Sequence, residues 1–365
     1  MYGSSACLID FHQLSHAYKS KAIPQPYSIT SQQYPHIVSR KMAQFSQFDP
    51  RTYPRTVTVH PYPSPPFDDN NDQHTSYLYE YSSTPSRKEN ALVLIGGLDA
   101  GPHSLPYTQP LAFYFSAAPW AVFTVEIRSS HTGWGSGSLS RDVEDLRAVV
   151  TYLRETKGMK RVVLMGNSTG CQDCVAYSTS LSSGDRTGVD VDGYILQAPV
   201  SDRESLALEM NSSTIQKITD WAAARIKEGE GHDVVVPKSW LPDGMFRHGF
   251  VSAYRWYSLA AVGGDDDFFS SDLPPETVSR VWSQFDRPLL ILVSEDDEHV
   301  PPHVNQGALL DKWKAACRPG IVSERSGLIP GADHEVSEPA EAIMWLANRV
   351  WSFLRLISGG MAAIE

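Results

Sequence analysis

The sequence predicts an α/β protein: a mostly parallel central sheet, helices on both faces, and one long insertion near one end of the strands. Three observations lead there. From Thr75 onward, short apolar runs that read as buried strands alternate with segments of helical period. One such run, Arg161–Met165, leads straight into a G-x-S-x-G turn at Gly166–Gly170, and a helix-like segment follows it. Between Pro199 and Pro288 the alternation stops, over a length no ordinary loop reaches.

Residues 1 to about 75 are rich in Pro, Ser, Tyr and His and show little sustained periodicity. The run from His60 to Pro66 holds four prolines and cannot be regular helix, because proline removes donors and clashes with the preceding turn. This part is expected to be an N-terminal extension, partly irregular, ahead of a domain spanning 76–365. His12, His16 and His36 in it read as solvated surface histidines.

The candidate strands are Ala91–Ile95, Ala121–Glu126, Arg161–Met165, Gly193–Gln197 and Leu289–Val293, with a weaker one around Ile321–Leu328. The clearest helix is Arg141–Lys157, where Val143, Leu146, Val149, Val150 and Leu153 share a face. Ser140 is placed as its N-cap, Asp142, Glu144 and Asp145 suit its positive end, and Gly158 ends it. A second amphipathic helix, Ala340–Leu356, closes the chain. The stretch of about 200–287 contains helical patterns at Ser205–Met210, Thr214–Lys227 and Thr277–Phe285, and reads as an inserted cap.

Composition narrows the function. Of 365 residues, 41% are hydrophobic and 20% charged, so a sizeable core is available and wholesale disorder is excluded. A net charge of −11 argues against nucleic acid as partner, since phosphate binding needs clustered Lys and Arg. No basic segment with a long apolar run opens the sequence, and no stretch of about 18 apolar residues occurs. A cytoplasmic protein with no membrane partner is the default expectation. Cys171 and Cys174 form one C-x-x-C, but zinc needs four ligands and no matching partners follow, so neither metal nor cofactor is expected. Oligomeric state is not readable.

Gly166-Asn167-Ser168-Thr169-Gly170 sits where a nucleophile elbow requires it, between a buried strand and a helix. The glycines leave room for a sharp, strained turn that presents Ser168. A serine hydroxyl is a weak nucleophile and needs a base, itself oriented by an acid. In the α/β-hydrolase fold these follow in the order Ser, Asp or Glu, His, each after a later strand. The run Glu295–Pro301 supplies the acid: its D-x-x-V-P register selects Asp297, with Asp296 the competitor. Gly331-Ala332-Asp333-His334 supplies the base, His334, just ahead of the last helix. An oxyanion hole needs two backbone N–H groups. One should belong to Thr169, and the other to the loop Gly96–Gly101, where Leu98 is favoured and Gly97 comes next. Each motif alone also reads as an ordinary turn; together they fall in the required order.

Two further stretches carry a resemblance: Arg128–Asp142, with glycines alternating around Trp134, and Gly166–Asp173 followed by Tyr177. Together with the Gly96–Gly101 loop they resemble the DUF1749 (UPF0613) family of fungal and plant α/β-hydrolases, over roughly residues 77–356. Its fungal members include intracellular esterases that open fusarinine C, a hydroxamate siderophore. The resemblance implies a serine esterase acting through an acyl-serine intermediate on a small-molecule ester, with a ferric siderophore as candidate and iron release as outcome. Fusarinine C bears free amino groups, so an acidic cap at Asp265, Asp266 and Asp267 could attract it. Trp134 and Ser130 could line the pocket. Other acyl chemistries with the same triad (thioesterase, acyltransferase) and a non-catalytic ligand binder are the alternatives.

Overall fold

In the computed structural model the described residues are 56–66, 74–81, 88–182, 190–242, 245 and 249–359. His12, His16 and His36 lie outside them. Residues 44–365 form one unit, built on a sheet of eight strands among the described residues: β1 (Thr58–Ser64), β2 (His74–Glu80), β3 (Asn90–Ile95), β4 (Trp120–Val125), β5 (Arg161–Asn167), β6 (Gly193–Gln197), β7 (Leu289–Ser294) and β8 (Gly327–Ile329). Their order is β1-β2-β4-β3-β5-β6-β7-β8. From β4 to β8 neighbouring strands are parallel, and β1 and β2 are antiparallel additions at one edge.

Every residue of β3, β4, β6 and β7 is buried, as strands covered on both faces must be. The helices are α1 (Thr108–Tyr114), α2 (Leu139–Thr151), α3 (Thr169–Ser182), α4 (Asp202–Glu209), α5 (Ser212–Lys227), α6 (Ala253–Ala260), α7 (Pro275–Trp282), α8 (Gln306–Ala316) and α9 (Ala340–Ile357). Strand order reverses at β3, and α1 and α9 pack together while α2 and α3 pack together. Right-handed crossovers in opposite directions account for the two layers.

The strands agree with the expected runs, and several details differ. β1 forms within the proline-rich run, ahead of the expected boundary near 75. It is the outermost strand, and Pro61 and Pro63 share one parity, so their missing N–H groups need not interrupt the ladder to β2. α2 starts at Leu139, and its N-cap is Ser138, whose side chain accepts from Arg141 N, rather than Ser140. A single π-helical turn, Tyr152–Thr156, carries the same run to Gly158, which ends it in the left-handed region at φ 68°. The last strand covers only Gly327–Ile329: Val322 pairs in parallel with Leu289 of β7 as an isolated bridge, and a turn at 324–325 interrupts the expected run.

Between β6 and β7 lie α4 to α7. This insert has an apolar cluster of its own, which includes Met210, Ile218, Ala222, Val251 and Trp256. Among the described residues no helix is long and apolar enough to cross a membrane.

Candidate active site

The three predicted catalytic residues come from three strand ends on the same side of the sheet. Ser168 follows β5, Asp297 follows β7 and His334 follows β8. Loops at the carboxyl ends of parallel strands are where α/β sheets present their sites.

Ser168 has φ 53°, in the left-handed region that side chains avoid. Its N–H donates to Gln197 O at 3.1 Å, and Cys171 N donates to Ser168 O at 2.8 Å, so the turn is held from both ends. A Cβ at Gly166 would lie 2.0 Å from Gly170 O, which is why only glycine allows this turn to close. Thr169 then opens α3 beyond Ser168, placing the positive end of the helix dipole at the nucleophile.

His334 Nδ1 lies 2.8 Å from Asp297 Oδ2, and both residues are buried. An ionised Asp297 only accepts, so Nδ1 carries the proton and Nε2 is left with the lone pair. Asp297, not Asp296, meets the imidazole; Asp296 is exposed, and its N–H ties the loop to Ala332 O at 2.9 Å. Glu298 accepts the His334 N–H at 2.9 Å. Burial alone would lower the His334 pKa. The hydrogen bond and charge of Asp297, with Glu298 and Glu335 adding to them, outweigh it and leave the pKa raised.

The loop after β3 reaches the nucleophile. A Cβ on Gly97 would stand 2.7 Å from Ser168 Cβ, so the glycine brings main chain against the serine. Gly97, Leu98 and Thr169 line one small cavity with Ser130, Trp134 and Arg255. Both expected oxyanion donors, the amides of Leu98 and Thr169, therefore belong to residues at the same cavity.

The tentative substrate contacts are placed differently from one another. Trp134 is 3% exposed and packs with the insert's apolar cluster, although it also walls the cavity. Ser130 Oγ accepts the Ile127 N–H at 3.0 Å, a contact within its own loop. Asp265 is exposed and accepts from Tyr254 OH at 2.6 Å. Asp266 is buried against Arg255 at 2.7 Å, and Asp267 is buried with Arg203 3.4 Å away. The acidic run is thus mostly internal wiring of the insert, since a buried carboxylate needs a cation or donors beside it. Among the described residues no group of three or more His, Cys, Asp or Glu is arranged to hold a metal ion.

Sequence reasoning missed Gln197, the fully buried last residue of β6. Its Oε1 accepts from Asn167 Nδ2 at 2.6 Å and from Tyr107 OH at 3.0 Å. Its Nε2 donates to His334 O at 3.1 Å and to Ser294 Oγ at 3.2 Å. One amide uses its full hydrogen-bonding capacity to join the strands and loops that carry serine, acid and histidine. The signal was present: a glutamine ending an otherwise apolar buried strand.

Fold and site together define an α/β-hydrolase. A family model described as "Protein of unknown function (DUF1749)" matches residues 50–355, and the chain belongs to that family. It is 35% identical to a UPF0613 protein of Schizosaccharomyces pombe over 294 residues, 74% of this chain and 89% of that one. It is 30% identical to fusarinine C esterase sidJ of Aspergillus fumigatus over 328 residues, 77% of this chain and 93% of the relative. Among solved structures, siderophore hydrolase EstB from Aspergillus fumigatus superposes with a TM-score of 0.69 at 27% identity, covering 84% of this chain and 98% of that one. Its named esterase and hydrolase relatives support a carboxylic ester hydrolase.

Proposed function

We propose that the protein is a serine esterase that opens ester bonds of a hydroxamate siderophore of the fusarinine C type, in the cytoplasm, and so assists iron release. The observation that carries the chemistry is the buried His334–Asp297 pair at 2.8 Å, at the same end of the parallel strands as the strained Ser168 turn. The substrate class is supported by the two Aspergillus fumigatus relatives, one named a fusarinine C esterase and the other a siderophore hydrolase.

In this reading His334 Nε2 takes the Ser168 Oγ proton as Oγ attacks the ester carbonyl carbon. The amides of Leu98 and Thr169 hold the tetrahedral oxyanion. As it collapses, the ester C–O bond breaks, and His334 returns the proton to the departing alcohol. Water then attacks the acyl-serine with His334 again as base, releasing the acid and restoring Ser168. Asp297 keeps the proton on Nδ1 and stabilises the imidazolium. Any preference for amino-bearing esters falls to the exposed acids beside His334, Glu298 and Glu335, and not to the internal Asp266 and Asp267.

Mass spectrometry of ferric and iron-free fusarinine C incubated with wild type and with Ser168→Ala tests the reading. Release of monomers by wild type and not by the variant is the expected result. No release, with a fluorophosphonate probe still labelling Ser168, would remove the siderophore and keep the esterase. Absence of labelling would remove the nucleophile as well.

A further inference from the structure

The acid loop delivers a second imidazole to the same place. His299 lies two residues beyond Asp297, and its N–H donates to Asp297 Oδ1 at 3.0 Å, while Oδ2 of the same carboxylate faces His334. Its ring meets the His334 ring edge to face, with centroids 4.5 Å apart and planes at 74°. Ser205 Oγ, from α4 of the insert, lies 3.3 Å from His299 Nδ1. The half-buried ring also walls a largely apolar cavity with Glu204, Phe269, Val300 and Trp313. The residue is thus held by the triad acid through its backbone N–H, and by the triad base and the insert through its ring.

From these contacts we infer that His299 is a positioning residue for the reaction: its ring holds the His334 imidazole in the rotamer that bonds Asp297. The inference rests on the proposed role of His334 as general base. An aromatic ring in contact with His334 also favours the imidazolium that forms when His334 takes the serine proton.

Two variants test this, each checked for folding by its thermal melt. With a p-nitrophenyl ester, His299→Ala should lower kcat about tenfold with KM little changed, by loosening the base. His299→Phe, which restores a ring, should recover most of that loss. Full kcat in His299→Ala, or no recovery in a folded His299→Phe, would overturn the inference. If the wild type neither hydrolyses esters nor takes up the fluorophosphonate, it is the esterase reading that fails.

Discussion

At the scale of single residues, the site depends on who holds His334 and from which side. Asp297 is the main cause of its raised pKa against the opposing pull of burial. Asp297→Asn should therefore move the acid limb of kcat/KM to lower pH, since the group that favours the imidazolium is weakened. It should also lower kcat by a factor on the order of 10³–10⁴, because the amide no longer dictates a protonated Nδ1. A pH–rate profile on a chromogenic ester reads both effects, and an unshifted limb would mean that Asp297 does not govern the base. Gln197 acts at one remove. Gln197→Met keeps the side chain's length and removes all four of its hydrogen bonds, leaving buried partners unsatisfied at about 1–3 kcal/mol each. A fall in stability of a few kcal/mol with at least a tenfold loss in kcat and little change in KM is the expected outcome. Asp297 was legible because its loop motif is local; Gln197 was not, since its partners lie 30 to 137 residues away.

At the scale of elements, Trp134 shows how a loop and an insert come to share a core. The sequence placed it in a glycine-rich loop, as a candidate lining of the substrate pocket. In the structure it joins Met210, Ile218, Val251 and Trp256 in the insert's apolar cluster. Trp134→Ala should then cost about 3–5 kcal/mol of stability, as loss of a buried large aromatic does. Chemical unfolding distinguishes the two roles: a stacking residue would raise KM and leave the unfolding midpoint in place. Arg128 ties the same loop to α2 through Asp145, by its backbone N–H at 2.7 Å and its Nε at 3.0 Å. The acids assigned from sequence to the helix's positive end thus have a second task, and it was visible only once the loop was seen folded back upon them.

At the scale of the whole molecule, the insert meets the α/β core around buried charge. Asp142 of α2, Asp173 of α3 and Asp266 of the insert are buried in the neighbourhood of Arg255 of α6. Burial, reinforced by the neighbouring carboxylates and opposed by Ser129 and Arg255, pushes Asp142 up to about 7. Burial also raises Asp173 well above the carboxylate range. A raised carboxylate pKa means that the folded state keeps a proton the unfolded chain has already released. Stability from these groups is therefore greatest below the unfolded value near 3.8 and declines as pH rises towards 7. Asp142→Asn, which mimics the protonated form, should raise the melting temperature more at pH 8 than at pH 5. Differential scanning calorimetry at the two pH values checks this, and an equal effect at both would mean Asp142 titrates normally in the fold.

The sequence by itself determined the alternation of strands and helices, the Ser168 elbow, and the order serine, acid, histidine, because each is written in a few adjacent residues with a fixed period or turn chemistry. It also marked out the insert, by the length over which the alternation fails. The tertiary structure alone decided that Gln197 links the catalytic loops, that Trp134 belongs to the insert's core, and that Asp266 and Asp267 are buried. The physical reason is common to all three. Hydrogen bonds, ion pairs and apolar contacts between distant segments depend on where the crossovers bring the chain back, and no local pattern of residues encodes that distance.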